Sequence, residues 1–334
     1  MPSTKKIFEG TFHSDPPPGW DEGARGHPAL SSHALKSLKG SSDTPFSLVT
    51  HPDYQACEYK MRMNLFTFGR GSFSLPFTVV APPLSVDEAG YTGSLPSLLK
   101  DYKNRRGNFL FLNLQEPPDL PRELALPVEK TLPSCVFYSR FADFSEYLAA
   151  LRSPYRRRIR LALKRGDPLR IEATDPARFT ARHHDLYLQV LGRSKYPLET
   201  LGAGFFRAFD GELYTFLHGG EPVAFVTLRR DGEVLKFIFG GMDYTLRDSL
   251  DLYYNMLLFI LQRGLETGAK VINFGQTAET AKCLIGCVLS PRYMLAFSSN
   301  PLLGAGFRRF SSLFAYTPPH PLPRPFHTAR PPGG

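Results

Sequence analysis

The stretch VINFGQTAETAKCLIG, residues 271–286, gathers side chains that could do chemistry. A buried strand reads as ending at Phe274, and Gly275 permits a sharp turn. Asn273, Gln276, Thr277, Glu279 and Lys282 cluster around the C-terminal end of that strand, where ligand pockets are commonly built. A plainer reading fits the same residues: Thr277 caps a short helix while Glu279 and Lys282 face water.

The second candidate is SPYRRRIRLALKRG, residues 153–166, with six cations and no carboxylate. Ser153 suits a cap, Pro154 the first helical position and Gly166 the stop. At about 100° per residue, Tyr155, Ile159, Ala162 and Leu163 cover one face and Arg156, Arg157, Arg160 and Lys164 a neighbouring stripe. That stripe is either a solvated face or a phosphate-binding one, for a cofactor, a carrier protein or RNA. Arginine suits the latter because its fork engages a phosphate through two hydrogen bonds. The apolar face is narrow and lacks Trp and Phe, which argues against a membrane-surface helix. Zinc-finger spacing and RNA-recognition signatures are absent, and the helix offers charge rather than base-edge readers, so sequence-specific DNA binding is not expected.

Common catalytic signatures are missing: no GxSxG, no GxxxxGKS, no HExxH, and no GxGxxG opening a helix after a strand. His183, His184 and Asp185 fall within an amphipathic helical pattern and read as its polar face. Arg193 and Lys195 sit at that helix's C-terminal end, where cations complement the dipole. Cys57, Cys135, Cys283 and Cys287 form no CxxC pair and read as free structural thiols. Cys283 and Cys287 are spaced to share a helix face, but no nearby residues complete a metal site, so none is expected.

The chain has 334 residues, enough for one large domain or two ordinary ones. Its formal charge of +9 favours an anionic partner. The N-terminus lacks a signal-peptide apolar core, and no run reaches the roughly 18 apolar residues of a membrane span, so a soluble, cytoplasmic chain is expected.

Residues 1–45 lack sustained periodicity and are expected to be mobile or laid over the surface. Residues 313–334 form a Pro-rich tail expected to be disordered. Between them, strands are read at FSLPFTVV and GNFLFLNLQ, with a helix from Ser94 to Gly107 between them, and a helix capped by Asp143 or Ser145 precedes the basic one. LRIEA follows as a strand and ARFTARHHDLYLQVLGRS as a helix. Three antiparallel strands then run over 213–243, split by GGEP and RDGE. A long helix capped by Asp248 or Ser249 ends at Gly268, and a strand, a short helix and a last strand complete the order. This is a mixed α/β class, not a doubly wound dinucleotide fold.

FSEYLAALRSPYRRRIRLALKRG, LYLQVLGRS, PVAFVTLRRDGEVLKFIFGGMDY and LYYNMLLFILQRGLETGAKVINFGQTAETAKCLIGC together resemble the FemAB-like, peptidoglycan biosynthesis-like N-acyltransferase branch of the GNAT superfamily. The resemblance covers about 140–300. It implies a mostly antiparallel central sheet with helices on both faces and two GNAT-like halves, a degenerate one over 46–150 and an acyltransferase half over 151–312. It also implies transfer of an acyl group from a thioester, on CoA or an acyl carrier protein's phosphopantetheine, to a small amine or amino-acid-like acceptor. Aminoacyl transfer from tRNA is the alternative, and a non-catalytic RNA- or carrier-binding scaffold a further one. In such sites backbone N–H groups of a splayed strand stabilise the oxyanion. KFIFGGMD is the candidate strand, with Gly240 and Gly241 admitting the donor beside Arg156, Arg160 and Lys164. Lys282 matches a lysine implicated in charge stabilisation at the reacting carbonyl. Asp243 and Glu279 are candidates for base or amine positioning, Tyr253 for proton supply, and Asn273, Gln276 and Tyr254 for acceptor contacts; helix packing also accounts for the two tyrosines. The family's Q/R-x-x-G-x-G/A pyrophosphate loop is replaced by DYTLRDSLD, which disfavours free acetyl-CoA and favours a carrier protein or tRNA, both polyanionic.

Overall fold

A computed structural model describes residues 7–67, 72–194 and 198–327. Lys195 and the tail residues 328–334 lie outside the described residues. The chain divides into two compact units, Met1–Pro133 with Pro291–Thr317 and Ser134–Ser290 with Pro318–Gly334. The boundaries expected at 150/151 and 312/313 fall inside these units. Tyr147 and Leu151, for example, are buried in the core of the second unit.

The first unit opens with β1 (Thr11–His13), α1 (Trp20–Gly23) and α2 (Ser32–Lys39). β2 (Phe46–His51), β3 (Tyr54–Asn64), β4 (Ser74–Val80), β5 (Tyr91–Gly93), α3 (Leu95–Tyr102) and β6 (Asn108–Leu114) follow. β1 to β4 pair antiparallel in order, β5 pairs with β3, and β6 runs parallel to β4. The N-terminal segment, expected to be mobile or laid over the surface, is described from residue 7 and is anchored by side chains. Trp20, Leu30, Leu35 and Leu38 bury against Leu48 and Cys57, and the Trp20 indole donates to the Leu30 carbonyl at 2.7 Å. Its apolar residues are too sparse to show a period, yet enough to anchor it. In α3, Leu95, Leu98, Leu99 and Tyr102 recur at helical spacing and are all buried, and the helix ends at Tyr102 rather than Gly107.

β7 (Val128–Tyr138) begins in the first unit and ends in the second, which continues with α4 (Phe144–Ala150), α5 (Ser153–Gly166), β8 (Arg170–Thr174), α6 (Ala181–Leu191), α7 (Ala203–Arg207), β9 (Glu212–His218), β10 (Glu221–Asp231), β11 (Val234–Met242), α8 (Leu252–Glu266), β12 (Val271–Asn273) and α9 (Glu279–Leu284). The second unit's strand order is β7-β12-β11-β10-β9-β8, antiparallel throughout except for the β11–β12 pair. The chain then returns to the first unit, where β13 (Val288–Ser298) pairs with β6 and α10 (Pro301–Phe310) follows. The Pro-rich tail is placed as far as His327, against expectation. Phe326 packs on Phe141 and Tyr147 beneath the Arg140 guanidinium, and Pro325 accepts the Arg152 N–H at 2.8 Å.

Neighbouring strand residues point to opposite faces, and Gly240 and Gly241 exploit this. A Cβ on Gly240 would meet Met256 of α8 at 2.9 Å, and one on Gly241 would meet the α6 backbone at Leu186 and Tyr187 at 2.6 Å. The two helices therefore press onto β11 from opposite faces, and the missing side chains make room for them.

His183 is buried inside α6, not on a polar face. Its Nδ1 accepts the Thr180 N–H at 3.2 Å, leaving Nε2–H to donate to Thr215 Oγ1 at 3.0 Å. Burial lowers its pKa below the ordinary 6.5, and a proton on Nδ1 would also face the Thr180 donor. The unfolded chain thus takes up a proton that the folded chain refuses, so stability falls as pH drops through 6.5. Chemical denaturation at pH 7.5 and 5.5 should show this loss in the wild type and a smaller one in His183→Asn; equal losses would contradict it.

Candidate active site

The ladder between β11 and β12 consists of Val234↔Val271, Leu235↔Ile272 and Lys236↔Asn273. Beyond it β11 runs on to Met242, while β12 ends and the chain turns at Gly275. The cause lies on the other edge of β11. Phe237 pairs with Leu228 and Phe239 with Thr227, so Ile238 is an extra residue, a β-bulge. Bulges bend and twist a strand, and this one follows directly on the last parallel pair. Thr227 repairs the interrupted ladder: its buried Oγ1 accepts the Phe239 N–H at 2.9 Å and donates to the Phe239 carbonyl at 3.1 Å. Among the described residues no strand pairs with the edge of β11 away from β10 beyond Lys236, so peptide groups from Phe237 onward can meet a ligand.

The turn that faces this opening is strained. Gly275, Thr277 and Ala278 all have positive φ, at 70°, 62° and 52°. Side chains resist that conformation, which marks sites held by their surroundings. Three groups hold it here. Asn273 Oδ1 accepts the Gly275 N–H at 2.8 Å, the Cys135 N–H donates to the Gly275 carbonyl at 2.9 Å, and buried Lys282 donates from Nζ to the Gln276 carbonyl at 2.7 Å and the Gly275 carbonyl at 3.4 Å. Lys282 and Glu279 are thus buried rather than solvated. Thr277 does not cap α9; Ala278 holds that position in a left-handed conformation.

Tyr253 of α8 belongs to the same neighbourhood. Burial first, then the nearby thiols of Cys135 and Cys287, keep its phenol pKa well above the ordinary value, so it holds its proton. The Cys287 thiol is equally inert, its pKa raised well above the ordinary value by burial. Burial, reinforced by Glu279 and opposed by Lys282, pushes Cys283 up to about 11. Cys287 lies beyond the end of α9, so the two do not share a helix face. Among the described residues no three His, Cys, Asp or Glu side chains converge to hold a metal ion.

Asp243 is committed elsewhere. Burial alone would raise its pKa, but hydrogen bonds from Thr245 and the Arg182 guanidinium at 2.7 Å hold it below the usual range. A carboxylate so stabilised is a weak base. Gly240 and Gly241 are occupied by helix packing on both faces, leaving only their strand edge for a donor. Tyr254 lies beneath the Arg158 guanidinium at 4.3 Å, between α5 and α8 rather than in the opening.

The basic helix is docked by an acid that the sequence reading did not single out. Buried Asp251, at the left-handed N-cap position of α8, accepts two hydrogen bonds from Arg158 at 2.7 and 3.1 Å and one from Arg165 at 3.1 Å. Gly166 lacks a Cβ where the Asn255 amide passes, and that amide donates to the Ala162 carbonyl at 2.9 Å. Arg156 donates to the Ala149 carbonyl. Arg157, Arg160 and Lys164 are exposed, and no described carboxylate pairs with them.

Two substitutions test this arrangement. Thr227→Val keeps the shape but strands the Phe239 N–H, and should destabilise the protein by about 1–3 kcal/mol; an unchanged denaturation midpoint would contradict the bridging role. Lys282→Met should lower turnover roughly a hundredfold, the scale of losing one preorganised electrostatic group, while thermal unfolding stays cooperative. Wild-type turnover in that variant would remove Lys282 from the site.

A family model described as an acetyltransferase (GNAT) domain matches residues 149–282, from the end of α4 through Lys282. No curated protein matches the chain in sequence. Among solved structures, the fold is similar to the C-terminal (DUF2156) domain of a putative lysylphosphatidylglycerol synthetase from Agrobacterium fabrum. The two share 12% identity, 83% of this chain and 91% of that one are covered, and the TM-score is 0.50. L-PGS from Bacillus licheniformis is similar at 14% identity, 88% and 95% coverage and a TM-score of 0.50. A conserved protein of unknown function from Bacteroides thetaiotaomicron matches at 14% identity, 85% and 98% coverage and a TM-score of 0.52. Likeness at such identities speaks to fold, whereas the sequence match is confined to residues 149–282, which are similar to a GNAT acetyltransferase domain.

Proposed function

We propose that the protein transfers an acyl group from a thioester, on acyl-CoA or an acyl carrier protein's phosphopantetheine, to the amine of a small amino-acid-like acceptor. The observation that carries this reading is the bulge at Ile238, which opens the edge of β11 against the strained turn. An extended, amide-rich donor chain can pair with such an edge as an added strand does. Its thioester carbonyl then meets peptide N–H groups that stabilise the developing oxyanion without reorganising. Lys282 adds positive charge and fixes the turn, and Glu279 and Asn273 position the acceptor amine; as the C–N bond forms and the C–S bond breaks, the proton shed by the amine ends on the departing thiolate, relayed by the Tyr253 hydroxyl, which takes one proton as it gives another and stays neutral. With the Cys283 and Cys287 thiols buried and their pKa values raised, direct attack of the amine is favoured over an acyl-cysteine intermediate.

A FemAB-like, aminoacyl-tRNA-dependent reaction is the second reading. It is favoured by the segment before α8, which lacks a glycine loop and whose Asp251 is a carboxylate where a pyrophosphate would need N–H donors. Exposed Arg157, Arg160 and Lys164 suit a polyanionic donor.

Steady-state kinetics with acyl-CoA, acyl carrier protein and aminoacyl-tRNA donors separate the readings. Thiol release supports the first, and activity abolished by RNase the second. Arg157→Glu with Arg160→Glu should raise the donor's KM by tenfold or more at low salt and leave kcat nearly unchanged; an unchanged KM makes that stripe a solvated face.

A further inference from the structure

Exposed large apolar side chains concentrate on one part of the first unit. Leu302, Phe310 and Leu313 are 84%, 50% and 56% exposed, and Phe73 is 50% exposed. The first two belong to α10, Leu313 to the single turn after it (Ser311–Phe314), and Phe73 immediately precedes β4. They share a surface. Phe77 stacks on Phe307 of α10 at 5.8 Å, and alternation along the strand puts Phe73 on the same side as Phe77. Phe66, across the loop of the same β3–β4 hairpin, packs edge-on against Phe314 at 6.0 Å.

α10 buries Gly304 and Phe307 inward and turns Leu302, Ala305, Arg308, Arg309 and Phe310 to solvent. Its outer side is thus apolar and cationic together, the reverse of the polar outer face of an ordinary surface helix. Arg308 and Arg309 have no described carboxylate partner; Arg309 instead lies over the Phe310 ring at 5.5 Å. The sequence contains no Asp or Glu anywhere from Thr280 to Gly334. Isolated exposed apolar residues are ordinary, but four on one surface flanked by unpaired arginines call for a partner.

We propose that α10, the turn after it and Phe73 form a peripheral docking surface for an anionic lipid bilayer. Leu302, Phe310, Leu313 and Phe73 would enter the acyl–headgroup boundary while Arg308 and Arg309 meet lipid phosphates at headgroup level, the arrangement by which amphipathic segments lie in an interface without spanning it. Charge complementarity selects this occupant: a neutral protein surface would leave both guanidiniums unpaired. This is independent of the reaction chemistry and requires no membrane-crossing helix; among the described residues none is long and apolar enough to be one.

Flotation of the full chain with vesicles tests it, using pure phosphatidylcholine and a 7:3 mixture of phosphatidylcholine with phosphatidylglycerol at physiological salt. Binding is expected to the mixed vesicles, weaker binding to the neutral ones, and a decline as salt rises. Arg308→Gln with Arg309→Gln should reduce partitioning roughly thirtyfold, the product of two cationic contacts near a charged surface. Leu302→Ser with Leu313→Ser should weaken it at every salt concentration. All four residues are exposed, so these variants should retain the wild-type melting temperature. The proposal fails if neither vesicle floats the protein, or if α10 variants bind like wild type while the Arg157, Arg160, Lys164 triple Gln variant does not. It also fails if sedimentation shows a dimer that the Leu302 and Leu313 changes dissolve, since the patch would then join two copies of this chain.

Discussion

The short parallel ladder between β11 and β12 is the constraint on which the candidate site depends. Had those strands stayed paired to Met242, the peptide groups of β11 would be spent on the sheet and nothing would remain for a ligand. The extra residue at Ile238 prevents this by turning β11 away just after Lys236. Its local cost is an interrupted ladder with β10, offset by the Thr227 hydroxyl, which serves Phe239 as both acceptor and donor. Gly240 and Gly241 let α8 and α6 close on opposite faces of the same strand, so its only free side is the edge.

The turn opposite shows the complementary arrangement. A run of positive-φ residues would not persist alone, and Asn273, the Cys135 N–H and the Lys282 ammonium together determine it. Lys282 is therefore both a charge placed near the opening and a structural tie, and the two roles reinforce each other. A cation held by two carbonyls is fixed in position before any substrate arrives, which is what electrostatic preorganisation requires. The six cations of α5 divide by similar logic. Arg158 and Arg165 bind Asp251 and dock the helix on α8, Arg156 caps the preceding turn, and Arg157, Arg160 and Lys164 remain at the surface.

Features governed by local chemistry were readable in the sequence. The β9–β11 meander followed from GGEP and RDGE between apolar runs, α4 from the Asp143 cap, and the polar cluster over 273–282 from its place after a buried strand. Features governed by pairing were not. The bulge at Ile238 exists only relative to Thr227 and Leu228, and Asp251 was passed over because its partners lie in another helix. β7 contains two charges and a proline and shows no clean alternation. Single anchors such as Trp20 and Phe326 leave no periodic trace, so the sequence alone leaves the N-terminal segment mobile or laid over the surface and the Pro-rich tail disordered. Gly240 and Gly241 have a packing reason that the sequence does not show: a Cβ on either would meet Met256 of α8 or the backbone of α6.

The open edge of β11 and the Lys282-held turn are proposed to form one donor-binding surface. Hydrogen–deuterium exchange of the full chain, alone and with coenzyme A, phosphopantetheinylated acyl carrier protein or tRNA in separate arms, reads that surface amide by amide. One of these donors is expected to slow exchange at amides 237–242 and 275–279 together, with little change in β8 and β9. If all three leave both segments unchanged, or protect one without the other, the splayed strand is not where the donor binds.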